Sequence, residues 1–176
     1  MSKNAFTAIM KTKQTQEETQ SGYYIVKGKA EEKDCYLLQF DGASDPNPGE
    51  SCGGAVLFTP NRRVVFERGE YIEYATNNQA EYTGLLAGLV SSKDQGIKKL
   101  LIDGDSMLVI NQVAGKWKVR DPELKIFHSE IKKLIEEFDF VAIRHVYREN
   151  NTHADRLTNE GVAKKADFMR LIHAPI

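Results

Sequence analysis

The chain has 176 residues, 41% of them hydrophobic and 28% charged, with a formal net charge of −1. That composition excludes disorder throughout and leaves room for one domain with a sizeable core, or a domain and a tail. A bilayer span is excluded too, because the longest apolar run, residues 84–90, is far too short.

The neutral total covers an uneven distribution. Residues 41–111 carry 6 basic and 10 acidic side chains, and residues 112–176 carry 12 and 10. A balanced total neither announces nor excludes a nucleic-acid partner, so the clustering of charge decides. The first stretch holds Lys3, Lys11 and Lys13 without an apolar run, which does not read as a secretory signal. An intracellular protein, cytoplasmic or nuclear, is expected, with an organelle transit peptide as the lesser alternative. Cys35 and Cys52 lack a CxxC spacing and the four histidines lack a zinc spacing, so both thiols are expected to be small buried residues.

Residues 1–21, rich in Lys, Thr, Gln and Glu, read as a flexible extension. Residues 22–29 (GYYIVKGK) are β-prone but isolated and fit an edge strand. Residues 35–41 (CYLLQFD) are an apolar run ending in a carboxylate, the pattern of a buried strand. Asp45-Pro-Asn-Pro-Gly49 is a turn by composition, and residues 54–59 and 63–70 flank Pro60-Asn61 as hairpin arms. From residue 77 to about 93, Ala80, Leu85, Leu86, Leu89 and Val90 recur at helical spacing.

Residues 98–103 read as a strand and 106–113 as a short helix stopped by Gly115. Asp121-Pro122 is a helix start, followed by a stripe of Leu124, Phe127, Ile131, Leu134, Ile135 and Phe138. Residues 140–146 read as the last strand, and Asn151 or Thr152 can cap a final helix through residue 162. The order βββαβααβα predicts an α/β fold built on a five-stranded mixed sheet covered by helices.

Acids are depleted in strands and costly when buried, so acids at strand ends need a reason. Asp41 ends the first strand, Asp103 and Asp105 end the fourth, and Glu81 and Asp155 lie in the first turns of two helices. Singly, each has an ordinary role. Glu81 and Asp155 complement a helix dipole, worth about 0.3–1 kcal/mol, and Asp41 and Asp105 suit turns. Together, four acids from four segments point at the place where ligands gather in α/β folds. A bare cluster would repel itself; magnesium relieves this, and two ions about 3.5–4 Å apart can clamp the attacking and leaving oxygens of a phosphodiester.

Four stretches then become specific: Asp41-Gly-Ala-Ser-Asp-Pro-Asn-Pro-Gly49, Thr76-Asn-Asn-Gln-Ala-Glu-Tyr82, Asp103-Gly-Asp-Ser106 and Arg148-Glu-Asn-Asn-Thr-His-Ala-Asp-Arg-Leu157. They resemble the successive signatures of type 1 ribonuclease H, in family order, over about residues 36–165. The resemblance implies a ribonuclease H-like fold with helices on both faces of the sheet. It divides the chain into a flexible extension (1–34), a catalytic domain (35–166) and a C-terminal tail (167–176). The implied reaction is hydrolysis of the RNA strand of RNA/DNA hybrids, leaving 5′-phosphate and 3′-hydroxyl ends, with two Mg2+ ions, or Mn2+, as cofactors. No small-molecule cofactor or membrane partner is expected, and a monomer is the default.

By the same resemblance Asp41, Glu81, Asp105 and Asp155 match the catalytic metal ligands. Asp41 would bridge both ions, Asp155 would help hold the ion at the attacking water, and Glu81 and Asp105 the one at the leaving oxygen. Asp103 is read as a neighbour. Asn47 and Asn77 match readers of the 2′-hydroxyl, the group that separates RNA from DNA, with Ser44 and Asn78 close by. Turn and cap chemistry is an equal reading for both amides. Thr76 matches a contact to DNA phosphate. Lys116, Trp117 and Lys118 interleave cations with an indole, as a phosphate track requires.

Three departures stand out. The segment before Asp121 is short, so the basic protrusion of some members is absent. The family's mobile catalytic-loop histidine has no clean match, Glu149 being nearest and His153 a weaker substitute. Tyr74 stands where many members have Arg. Two other readings remain: a two-metal nuclease with another substrate, and a non-catalytic nucleic-acid-binding module on the same fold.

Overall fold

A computed structural model describes residues 17–175; the first 16 residues of the expected extension, and Ile176, lie outside the described residues. Strands β1 (Tyr24–Lys27), β2 (Tyr36–Asp45), β3 (Gly49–Phe58) and β4 (Val64–Ala75) precede helix α1 (Asn77–Asp94). Then come β5 (Lys99–Gly104), α2 (Met107–Val113), α3 (Pro122–Ile135), β6 (Phe140–His145), α4 (Thr152–Lys164) and β7 (Phe168–Leu171). The strands form one mixed sheet in the order β1-β6-β5-β2-β3-β4-β7.

The sheet therefore has seven strands, correcting the expectation of five. The two additions are its edges: β1 pairs antiparallel with β6, and β7 antiparallel with β4. Each is only four residues long, too short for an alternating pattern to register in a sequence scan. The expected edge strand within residues 22–29 is β1; β7 had no sequence signal. The five inner strands carry the expected connectivity. β2 runs parallel to β5 and β5 parallel to β6, while β2, β3 and β4 form an antiparallel meander.

Local chemistry sets the helix starts. Thr76 accepts a hydrogen bond from the Gln79 N–H while the Gln79 side chain reaches back to the Thr76 N–H, a reciprocal cap on α1. Ser106 caps α2, and Asp121 caps α3 ahead of Pro122. One cap departs from expectation. Asn151 occupies the cap position of α4 but makes no cap bond; its Nδ2 donates instead to the Phe40 carbonyl at 2.9 Å. That bond ties the start of α4 to β2, one residue from Asp41.

Alternation along the strands divides the core. Leu38, Phe40, Leu100, Ile102, Val141 and Ile143 face α1, α2 and α3. On the other face Leu37, Leu101, Phe140 and Ala142 pack with Tyr23 and Cys35, and Val56 packs with Ala154 and Leu157 of α4. Both cysteines are buried free thiols, as expected, and burial pushes them up, Cys35 to about 11 and Cys52 to about 12. No helix among the described residues is long and apolar enough to cross a membrane.

The contact that matters most is α1 on β2 and β3. A Cβ on Gly42 would overlap the backbone of Ala80 and Glu81, and one on Gly84 would overlap the Asp41 carbonyl. Only glycine permits this approach. In an open helix Gly→Ala stabilises by about 1 kcal/mol; here the sign should reverse. Gly84→Ala is expected to lower unfolding free energy by about 1–3 kcal/mol in urea titration, and a stabilised variant would contradict the tight contact.

Candidate active site

The approach of α1 to β2 brings Asp41, at the middle of β2, against Glu81, one turn into α1. Asp105, just beyond the end of β5, completes the group: one carboxylate oxygen from each of the three lies within 4.8 Å of the others. Asp41 is 5% exposed and Glu81 9%. Burial, then the Asp105 charge, pushes the Asp41 carboxyl well above the usual range. Burial, then Asp41 and Asp105, does the same to Glu81. Glu81 Oε2 is buried with no hydrogen-bond partner among the described residues.

An orphaned buried carboxylate oxygen inside a set of three carboxylates fits a hard cation. Nitrogen and sulfur ligands are absent from this group, and acids alone suit magnesium-type coordination better than zinc. Asp155 lines the same cavity, of about 550 Å³, but stands outside the tight group of three. Its Oδ1 lies 3.5 Å from Arg148 Nη2. Three of the four expected carboxylates are thus brought together, and the fourth lies beside Asp41 in the same cavity.

The expected 2′-hydroxyl readers sit at one rim. The Ser44 N–H donates to Asn77 Oδ1 at 2.8 Å, and the Asn77 N–H donates to Asn47 Oδ1 at 3.0 Å. Ser44, Asn77 and Asn78 line the cavity; Asn47 and Thr76 do not. Both amide oxygens are engaged in turn and helix-start bonds, and Thr76 is engaged in its cap.

Lys116, Trp117 and Lys118 line a separate cavity of about 570 Å³ with Lys125, His128 and Lys132. Trp117 is 48% exposed, a surface residue rather than core. Gly115, at φ +80°, turns the chain out of α2, and the Lys116 and Trp117 N–H groups donate back to the Asn111 carbonyl. Residues 114–121 join α2 to α3 with no helix between them, so the protrusion is missing as expected.

Other residues were missed or are moved. His145 and Tyr147 line the acidic cavity together with Arg148. Arg148 sits on a single 3-10 turn, with no periodic signal to reveal it. His153 points to the far face of α4, where Nε2 meets Glu67 Oε2 at 2.6 Å, so it does not reach the cavity as a loop-histidine substitute. Glu149 does not line the cavity either. Asp103 does not line the cavity; the Tyr23 hydroxyl donates to it at 2.6 Å and Arg144 Nη2 at 3.0 Å. Tyr74 is 72% exposed at the end of β4.

A mixed sheet that carries an acidic cluster at the start of its first long helix defines an α/β domain with a candidate cation site. The reverse transcriptase-like family matches residues 39–161. Ribonuclease HI of Halobacterium salinarum is 42% identical over 123 residues, which cover 70% of this chain and 62% of that protein. Bifunctional protein Rv2228c of Mycobacterium tuberculosis is 38% identical over 127 residues, covering 72% of this chain and 35% of that one. The chain therefore spans well under the full length of these relatives.

Among solved structures, RNase H1 of Halobacterium salinarum superposes with a TM-score of 0.71 at 40% identity, over 74% of this chain and 98% of that one. LC11-RNase H1 in complex with an RNA/DNA hybrid gives the same TM-score at 30% identity, over 74% and 98%. The chain belongs to the type 1 ribonuclease H family.

The acidic cluster carries a direct expectation. Mg2+ or Mn2+ at 100 times its dissociation constant should stabilise the fold by about 2.7 kcal/mol, a rise of several degrees in Tm. Asp41→Asn should melt above wild type in metal-free buffer and should lose most of the metal-induced rise. A wild-type melting curve indifferent to both cations would remove the metal assignment.

Proposed function

We propose that this protein is a ribonuclease H that hydrolyses the RNA strand of RNA/DNA hybrids with two divalent metal ions, leaving 5′-phosphate and 3′-hydroxyl ends. The observation that carries the reading is the convergence of Asp41, Glu81 and Asp105 in a cavity that Ser44 and Asn77 also line. Its likeness to a ribonuclease H1 solved with a hybrid supports the choice of substrate.

Asp41, Glu81, Asp105 and Asp155 would hold the ions, Mg2+ or alternatively Mn2+. When bound, such ions lower the pKa of an attacking water and offset charge on the leaving oxygen. The protein's own contribution is placement. Burial of Asp41 and Glu81 keeps bulk water from competing for their oxygens, and Arg148 holds Asp155 at the cavity rim. The oxygens of Asn47 and Asn77 are already committed, so their NH2 ends are the donors for a 2′-hydroxyl. Ser44 orients Asn77. A deoxyribose leaves those donors unmet, which disfavours DNA in this position.

The second strand lies, in this reading, along Lys116, Trp117 and Lys118, where cations meet phosphates and the exposed indole meets a sugar or base. The catalytic domain is residues 35–166, acting as a monomer in an intracellular compartment, with β1 and β7 extending its sheet.

Cleavage of a labelled hybrid beside duplex RNA, duplex DNA and single-stranded RNA tests the substrate. Hybrid-selective, metal-dependent cutting is expected, with Asp105→Asn losing at least about 100-fold in rate, the scale of a lost electrostatic catalytic group. Hybrid binding should survive that substitution. Full activity in Asp105→Asn would sink the site assignment. Binding without cleavage under Mg2+ and Mn2+ would instead favour the binding-module reading.

The phosphate track has its own test. Combining Lys116→Ala with Lys118→Ala should weaken hybrid binding and reduce the slope of log K against log salt by about 1–2. An unchanged slope would place the track elsewhere.

A further inference from the structure

We propose that Tyr24 is a positioning residue of the substrate-binding surface, holding Lys116 ready for a phosphate of the DNA strand; the inference rests on the hybrid reading above. Tyr23 immediately precedes β1 and Tyr24 is its first residue, and the two pack against opposite faces of the sheet. Tyr23 faces inward at 2% exposure. Its hydroxyl donates to Asp103 Oδ1 at 2.6 Å. Arg144 donates to both Asp103 oxygens, at 3.3 and 3.0 Å, and its guanidinium lies 4.3 Å from the Tyr23 ring centre. Arg144 Nη1 also donates to the Ser21 carbonyl at 3.1 Å.

The other end of β1 is fastened as well, where Lys27 Nζ donates to the Glu136 carbonyl at 2.7 Å. Between these anchors β1 is a fixed platform rather than a loose arm. Tyr24, paired with Ile143, packs against the main core on the face that carries α2. The Nζ of Lys116 sits 3.6 Å from the centre of its ring. Lys116 is otherwise exposed, with its N–H bonded to the Asn111 carbonyl at 2.8 Å.

An exposed lysine samples many rotamers and must surrender them when a phosphate captures it. A lysine already resting on an aromatic face surrenders fewer, so the same ion pair binds more tightly. The ammonium has three donors, and a ring beneath it leaves donors facing outward. Lys118, Lys125 and Lys132 border the same cavity, so the held charge lies where a phosphate chain would be drawn. The strand that supplies Tyr24 lies outside the span of the family signatures.

A double-mutant cycle with Lys116→Ala tests the coupling, with hybrid binding measured in chelator to prevent cleavage. Tyr24→Leu keeps apolar bulk and removes the ring; it should weaken binding about 2- to 5-fold, raising KM with kcat unchanged. Tyr24→Phe keeps the ring and should match wild type. In the Lys116→Ala background Tyr24→Leu should cost nothing. An equal loss in that background, or a Phe variant as weak as Leu, would overturn the proposal.

The NMR position of the Lys116 Hε protons reads the contact without relying on the Leu variant's folding. They should be shifted upfield by the ring in wild type and in Tyr24→Phe; random-coil values would also overturn it. A wild type that binds no hybrid removes the functional reading, and this inference with it. A wild type that binds but shows no coupling removes the inference alone.

Discussion

Everything at the functional end of this protein depends on holding three carboxylates closer together than they would choose. At separations up to 4.8 Å, and with an effective dielectric near 20, each ionised pair repels by roughly 3 kcal/mol. The fold withstands this because the parts carrying the acids are locked by contacts of their own. Gly42 and Gly84 let α1 lie directly on β2, which fixes Glu81 against Asp41. The Asn151 bond to the Phe40 carbonyl draws α4, and with it Asp155, to the same place. A cation converts the stored repulsion into binding affinity.

The site was legible in the sequence to the extent that its chemistry sits at element ends. Acids at the ends of strands and in first helical turns are out of place in any structural reading, and four of them in family order left few alternatives. The helices were legible because caps such as Thr76–Gln79 and Asp121–Pro122 are local. What escaped was non-local or too short to carry a period. β7 is four residues long and gains its pairing only from β4, and β1, expected as an edge strand, carried no sign that β6 is its neighbour. Tyr23 and Asp103 are 80 residues apart, and no spacing joins them. Asn151 looked like a cap, and its side chain was taken by a strand carbonyl that the sequence could not place beside it. His153 looked close to the site because it lies two residues from Asp155, yet helical geometry turns it to Glu67 on the other face.

The added edge strand gives the fold a further connection. Two consecutive tyrosines at its start act on opposite sides: Tyr23, just before the strand, braces the Asp103–Arg144 pair at the end of β5, and Tyr24 lies under Lys116 at the basic cavity. The start of this strand thus joins the Asp103–Arg144 pair to the surface proposed for the second nucleic-acid strand. A domain without a basic protrusion has few ways to fix its cations, and an aromatic platform at the sheet edge is one of them.

The most direct measurement is anomalous diffraction from crystals of the wild-type protein grown with Mn2+. The account predicts a manganese peak among the oxygens of Asp41, Glu81 and Asp105, within coordination distance of Glu81 Oε2, the atom left without a partner in the protein itself. An active preparation whose cluster holds no manganese at saturating concentration would contradict it, because the acids would then need another reason to be buried together.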